Sequence, residues 1–322
     1  RLAGLDHRNQ RLTPMAPDTR TALPPDPTDT AASGKRALAR LPRAAGALIG
    51  LLPFAVYAGL FLAVPTIAIV IGAFQDPDDG GFTLNNLEIA FQGIYLHGFI
   101  TSIELSVITS VVPGVLGLVI AYAVQTSRSG ALKRAVSTAS GVFANFGGVP
   151  LAFLFIATIG SSGLAVDWLK GLGFNPYDHG FSLYTFSGIA LVYLYFQIPL
   201  MVLVITPALE GLRPAWREAA DNLGASGWQY WRLVGGPVLL PAFLGSVLLL
   251  FGGAFSAYAT TQALTSGSLA ITPIQIGTFL NGNVLAGQEN VGKALGFGMV
   301  VIIAVVMVIY SVLQRRASKW LR

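Results

Sequence analysis

The chain has 322 residues, of which 53% are apolar and only 11% charged, with a net charge of +5. A soluble domain carries about 25% charged residues, so a water-soluble globule is excluded: too few charges are present to cover its surface. The basic excess does not point to nucleic acid, because Lys and Arg are spread over short loops between apolar runs and not gathered on one face.

Residues 1–43 are polar, with Pro14, Pro17, Pro24, Pro25 and Pro27 among Thr, Asp and Arg. Such a segment lacks the apolar surface to offset its ordering entropy and is expected to be a disordered tail. Met15 is a plausible start, which would make residues 1–14 an extension. The first apolar run begins at residue 44 and is far longer than the core of a signal peptide, so none is expected. Uncharged runs cover residues 44–75, 135–166 and 233–288, each longer than the ~20 residues that cross a hydrocarbon core. The hydropathy pattern predicts six spans, at about 46–74, 99–124, 137–160, 184–206, 238–263 and 293–313. Pro113, Pro150 and Pro199 fall inside them, which membrane helices tolerate when neighbours satisfy the freed carbonyls.

Basic residues orient this bundle, because they concentrate on the cytoplasmic side. Lys35, Arg36, Arg40 and Arg43 precede the first span, and Arg128, Lys133 and Arg134 follow the second. Arg213, Arg217 and Arg232 follow the fourth, and Arg315, Arg316, Lys319 and Arg322 follow the sixth. The opposite loops offer Lys170 and Lys293, so both termini are expected in the cytoplasm. Asp76, Asp78, Asp79, Glu88, Asp167 and Asp178 fall in the outer loops, read as solvated charge. The apolar stretch beginning near Pro273 is too short to cross and predicts an interfacial or re-entrant helix.

Some features point nowhere. The chain has no cysteine, which removes disulfides, thiolate metal sites and cysteine nucleophiles, and His7, His97 and His179 lack ligand-like spacing. Residues 287–293 spell an apparent phosphate loop, G-x-x-x-x-G-K, but Ala294 follows where magnesium coordination wants Ser or Thr. Glu104 is the carboxylate that falls plainly inside a span; such a group is read either as facing a pathway or as making a structural hydrogen bond. Tyr193, Tyr195 and Gln197 in the fourth span, with Tyr258 and Thr261 in the fifth, are further candidates for lining a pathway, and packing explains them equally well.

Between the fourth and fifth spans the chain reads EGLRPAWREAADNLGASGWQYWRLVGGPVLLP. Pro214 suits a first helical position, Gly224 supplies a helix stop, and Ser226 with Gln229 has capping-box spacing. The expectation is two short helices joined by a glycine turn, with small Ala219 and Ala220 beside Glu218 so that another protein's backbone could approach closely. The alternative is an amphipathic helix resting on lipid, anchored by Trp216, Trp228, Tyr230 and Trp231.

This loop resembles the E-A-A signature of inner-membrane permeases of binding-protein-dependent ATP-binding-cassette importers: E-A-A, three residues, G, nine residues, I-x-L-P. Glu218, Ala219, Ala220 and Gly224 match, Val234 stands for Ile, Gly236 departs from Leu, and Pro237 matches; Ala225 and Pro241 also fit common positions. The resemblance covers about residues 97–313, and it implies an all-α, polytopic type I importer permease fold. The expected layout is a tail over 1–43 and a permease domain over 44–322, with the loop at 207–237. It further implies two ATPase subunits holding ATP and Mg, a second permease, expected to be a paralogue, and an external substrate-binding protein. Glu218, Ala219, Ala220, Gly224, Ala225 and Pro237 would then meet the ATPase. The chain itself would be no enzyme and bind no cofactor. The general layout is most similar to the polyamine, ferric-iron and aminoalkylphosphonate branch; a polyamine would suit Glu104 and the acidic outer loops. An ion-coupled transporter or channel, or a membrane-embedded enzyme, are the competing readings.

Overall fold

The computed structural model of the chain describes residues 43–282 and 288–318. The expected tail, apart from Arg43, therefore lies outside the described residues, as do Gly287 of the apparent phosphate loop and the basic Lys319 and Arg322. The chain divides into two units, Arg1–Ala58 and Gly59–Arg322. Within the first, α1 (Arg43–Ala58) is an apolar helix with Pro53 inside it.

The second unit opens with a π-helical turn, Gly59–Ala63, followed by α2 (Val64–Ala73), α3 (Asn85–Ala90), α4 (Gly93–Thr126), α5 (Gly130–Asn145), α6 (Gly148–Ile159) and α7 (Leu164–Gly171). It continues with α8 (Phe186–Glu210), α9 (Pro214–Asn222), α10 (Gly227–Tyr230), a π-helical turn Trp231–Gly235, α11 (Gly236–Phe255), α12 (Ala259–Thr265), α13 (Thr272–Leu280) and α14 (Val291–Ser318). Among the described residues the only strand-like pairing is a single bridge between Gln75 and Phe82. Six helical stretches among the described residues are long and apolar enough to cross a bilayer: Leu51–Ala73, Gly93–Thr126, Gly148–Gly171, Phe186–Glu210, Gly227–Phe255 and Val291–Val312. The chain is thus the all-α bundle of six candidate membrane helices that its hydropathy predicts.

Two spans differ from their sequence expectation. The third, expected over 137–160 as one helix, is interrupted: α5 ends at Asn145, α6 begins at Gly148, and the stretch fit to cross a bilayer is Gly148–Gly171, later than expected. Gly147 is extended and Gly148 takes φ +73, a conformation glycine reaches without steric penalty. Pro150 falls in the first turn of α6, where no intrahelical N–H is needed. The fifth span starts earlier than residue 238, running from α10 through the π-turn into α11, and stops at Phe255 before resuming as α12. Here the Ser256 amide and hydroxyl both bond to the Gly252 carbonyl, at 3.1 and 2.8 Å, and the Ala257 amide tightens to the Ala254 carbonyl three residues back, the pattern of a closing last turn. The short helix expected near Pro273 is α13, with Pro273 in its first turn.

Helices α4, α8 and α11 form the centre. α4 buries a row of small residues, Thr101, Ser102, Ser106, Thr109, Ser110, Gly114 and Gly117, the surface that lets membrane helices approach closely. A Cβ on Gly117 would lie 2.6 Å from Met201 Cβ of α8, and one on Gly114 would lie 2.8 Å from Val247 of α11. The hydroxyls of Ser106 and Thr109 bond to carbonyls one turn back on their own helix. Their polarity is thus satisfied without a partner helix. Around this centre lie two apolar clusters, one joining Leu105, Leu151, Ile189, Tyr193 and Leu264, the other joining Ala121, Met201, Ile205, Leu239 and Leu250. A third, of Ala73, Ala90, Phe99, Val291 and Leu295, packs α14 against α2, α3 and α4. There the stem of Lys293 lies across Gly72, and Asn86 and Asn290 both donate to the Gln75 carbonyl, at 2.9 and 2.7 Å.

Candidate functional site

Helix α9 starts where Pro214 can sit without losing a hydrogen bond, and it ends at a glycine. Ala225 N–H donates to Ala220 O at 3.0 Å and Gly224 N–H to Asp221 O at 3.0 Å, with Gly224 at φ +77. This is the paired closure of a Schellman motif, with glycine at the left-handed position. Two residues on, Ser226 caps α10: its hydroxyl accepts from Gln229 N–H at 3.3 Å, while Gln229 Oε1 accepts from Ser226 N–H at 2.7 Å. The two short helices and glycine turn expected from the sequence are therefore present, with both chain ends of the turn hydrogen-bonded.

The side chains of α9 separate into two faces. Arg217 sits 3.4 Å from Asp221 and 5.1 Å over the Tyr230 ring, tying α9 to α10. On the other side Glu218, Ala219, Asn222 and Leu223 are all exposed, at the i, i+1, i+4, i+5 spacing of a single helix face. Leu223 is 88% exposed and Trp228 74%. Both are large apolar side chains left bare in a polar loop. Ala220 and Ala225 are half-buried. Of the proposed lipid anchors, Tyr230 is buried and Trp231 packs edge-on against Tyr122 at 5.1 Å, so only Trp216 and Trp228 present their rings outward. The departure at Gly236 has a local reason: in the π-turn the Trp231 carbonyl occupies the space a Cβ there would need. Pro237 follows as the second residue of α11, half-buried.

The six candidate pathway residues separate into different environments. Tyr193 is fully buried, its hydroxyl 2.7 Å from Thr261 Oγ1 and 3.2 Å from the Ala257 carbonyl. Gln197, one turn on and equally buried, donates to Leu250 O at 3.0 Å, while its Oε1 has no protein partner. Tyr193 thus joins α8 to the interruption between α11 and α12, and Gln197 joins it to the body of α11. Tyr195 packs between Phe143 and Phe155 at centroid distances of 5.6 and 5.5 Å. Tyr258 is partly exposed beside Gly277, in an open cleft of about 440 Å³ shared with Ser256, Pro273 and Met299. Glu104 stands on the exposed face of α4 between Ile100, Val107 and Ile108.

Sequence reasoning missed the contact between the two interrupted spans. Gly148 N–H donates to Thr260 Oγ1 at 3.0 Å, and the same hydroxyl reaches the Gly148 carbonyl at 3.3 Å. The glycine pair ahead of Pro150 was the available signal, since it reads as a helix stop followed by a start.

The family described as binding-protein-dependent transport system inner membrane component matches residues 114–322. The putative ferric transport system permease protein FbpB 1 of Haemophilus influenzae is 26% identical over 242 residues, 73% of this chain and 37% of that protein. The sulfate transport system permease protein CysT of Escherichia coli is 36% identical over 104 residues, 32% of this chain and 34% of that protein. The chain thus spans about a third of the length of these curated relatives. Its fold is similar to a crystal structure of a bacterial ABC transporter involved in the import of the acidic polysaccharide alginate, with a TM-score of 0.67 at 18% identity, covering 85% of this chain and 96% of that one. With the family matched over residues 114–322, most of its length, this chain belongs to the binding-protein-dependent transport system inner membrane components.

Proposed function

We propose that the chain forms half of a solute pathway through the inner membrane and is driven by a cytoplasmic ATPase that grips the α9–α10 loop. The observation that carries this reading is the exposed face of α9, where Glu218, Ala219 and Leu223 stand clear while Arg217 holds the helix from behind. Glu218 supplies one charge to set register, Ala219 and Ala220 keep the backbone approachable, and the hydrogen-bonded turn at Gly224 and Ala225 makes the loop stiff enough to transmit force. Pro237 sits in the first turn of α11, through which a push on the loop would enter the membrane. ATP binding can drive transport only if it changes these contacts between two states.

The partners of this reading are two ATPase subunits that hold ATP and Mg, a second permease expected to be a paralogue, and an external binding protein. Both termini face the cytoplasm in this arrangement, with the basic loops beside the ATPases. The permease domain is 44–322, and the chain itself carries out transport, with hydrolysis confined to its partners. The relatives belong to ferric, sulfate and thiamine systems, so a small solute of that range replaces a polyamine as the favoured substrate; the polyamine expectation draws no support from them. Glu104, Tyr258 and Ser256, the exposed polar groups of α4 and of the α11–α12 interruption, are the pathway residues this reading favours, with Tyr193, Gln197 and Thr261 bracing them.

The test is recovery of an ATPase with the affinity-tagged chain from its own membranes. Glu218→Lys combined with Leu223→Asp should abolish uptake and release the ATPase at unchanged permease level. Full uptake by that variant, with the ATPase still attached, would refute the coupling role.

A further inference from the structure

The opposite face of α9 borders a cleft of about 310 Å³ whose lining includes none of Glu218, Ala219, Asn222 and Leu223. Arg213 and Arg217, one helical turn apart, stand on one side; Gln125 and Thr126 at the end of α4 stand on the other; Tyr122, Trp231 and Leu212 form an apolar wall. Arg217 shares its charge with Asp221 at 3.4 Å, and Gln125 donates to Glu210 at 3.1 Å. Arg213 makes a cation–π contact with Trp216 at 5.9 Å and has no carboxylate within ion-pair distance among the described residues.

The cleft also opens onto a specific surface. Thr126 and Tyr122 continue upward along α4 as Val119 and Val115, spaced at four, three and four residues on one helix face. Tyr122, Val119 and Val115 are all exposed, so an apolar stripe within a membrane span leads directly into a pocket holding two guanidinium groups. A soluble anion would use the guanidinium groups and leave the stripe without a role. A hydrocarbon chain alone would leave Arg213 without a counter-charge. A molecule with a phosphate at one end and acyl chains at the other fits both parts, and basic pockets between helices at the cytoplasmic boundary suit anionic lipid headgroups.

We propose that this cleft binds the headgroup of an anionic phospholipid, with the phosphate between Arg213 and Arg217 and one acyl chain along Tyr122, Val119 and Val115. The inference rests on the orientation proposed above. It makes the lipid a wedge between the ends of α4 and α8 and the back of the coupling loop, so that membrane composition would tune the stiffness of the loop.

The test is native mass spectrometry of the full chain in mixed micelles of phosphatidylglycerol and phosphatidylethanolamine in equal amounts. The wild-type chain should retain phosphatidylglycerol preferentially, and retention should fall about fivefold for each arginine replaced in Arg213→Gln and Arg217→Gln. Arg213 makes no ion pair among the described residues, so Arg213→Gln should remain folded, as checked by thermal melting, and keeps the test readable if Arg217→Gln does not. Lys133→Gln, outside this cleft, should leave retention unchanged. Equal retention of the two lipids, an unaltered preference in Arg213→Gln, displacement of the lipid by inorganic phosphate alone, or a second protein chain occupying the stripe would each overturn the proposal. Because lipid retention is read without any ATPase, its failure is distinguishable from failure of the coupling role.

Discussion

The Tyr193 hydroxyl lies 2.7 Å from Thr261 Oγ1, across 68 positions of sequence, and fastens the middle of α8 to the point where the fifth span has just been interrupted. One residue earlier in α12, Thr260 holds the interruption of the third span through Gly148. Two helix breaks are thus tied by adjacent threonines of the same short helix. The buried polar groups here do structural work, since a broken helix in a bilayer must find partners for its freed backbone within the protein.

Tyr193→Phe removes a buried donor and leaves Thr261 and the Ala257 carbonyl short of a partner. The expected loss is about 1–2 kcal/mol, read as a lowered unfolding midpoint in detergent. Thr261→Val should cost a similar amount, and the double variant less than the sum of the two. Full additivity in this cycle would show that the two hydroxyls are not coupled.

At Gly224 the constraint is backbone conformation, because a Cβ would meet nothing within 4 Å there. Gly224→Ala should therefore destabilise the loop by about 1–2 kcal/mol through the left-handed φ alone, and Gly224→Asn by less. Hydrogen exchange of the Ala225 amide, which closes the turn, is the direct measurement. Protection equal to wild type in the alanine variant would contradict the motif.

Gly117 presents the opposite case, a helical conformation with no room. Gly117→Leu should drive α4 away from Met201 and cost at least about 1–3 kcal/mol as overpacking. Gly141 in α5 is helical with open space around it, so Gly141→Ala should be neutral or stabilise by about 0.5–1 kcal/mol. Thermal unfolding of the pair separates close approach from helix propensity, and similar effects for both would remove the argument.

Ser102 of α4 accepts from the Thr272 amide at 2.9 Å, across 170 positions of sequence, and so caps the start of α13. Ser102→Ala should cost about 1 kcal/mol and raise the exchange rate of the first-turn amides of α13, leaving α8 unchanged. An effect spread evenly over the bundle would point to general loosening instead.

Legibility followed the range of the interactions involved. The α9–α10 loop could be read residue by residue, because Pro214, Gly224, Ser226 and Gln229 act on backbone groups within a few positions of themselves. The number of crossings was equally readable, since the bilayer counts apolar run lengths. Gly147 and Gly148 signalled a helix break, yet a long apolar run around them reads as continuous, and the third span was expected unbroken for that reason. The roles of Tyr193, Gln197, Thr261 and Glu104 were not readable, because a residue facing lipid and one facing the core sit among the same neighbours in sequence.

From the sequence alone follow the membrane class, the six crossings, the loop and its caps, since each depends on hydropathy totals or on hydrogen bonds closed within a single turn. The tertiary structure alone decided which face of α4 is buried, which polar groups brace the broken helices, and that Arg213 and Arg217 share a cleft with the end of α4. In water the apolar stripe of a helix announces its buried face. Within a bilayer both faces are apolar, and only packing by small residues and long-range hydrogen bonds distinguishes them.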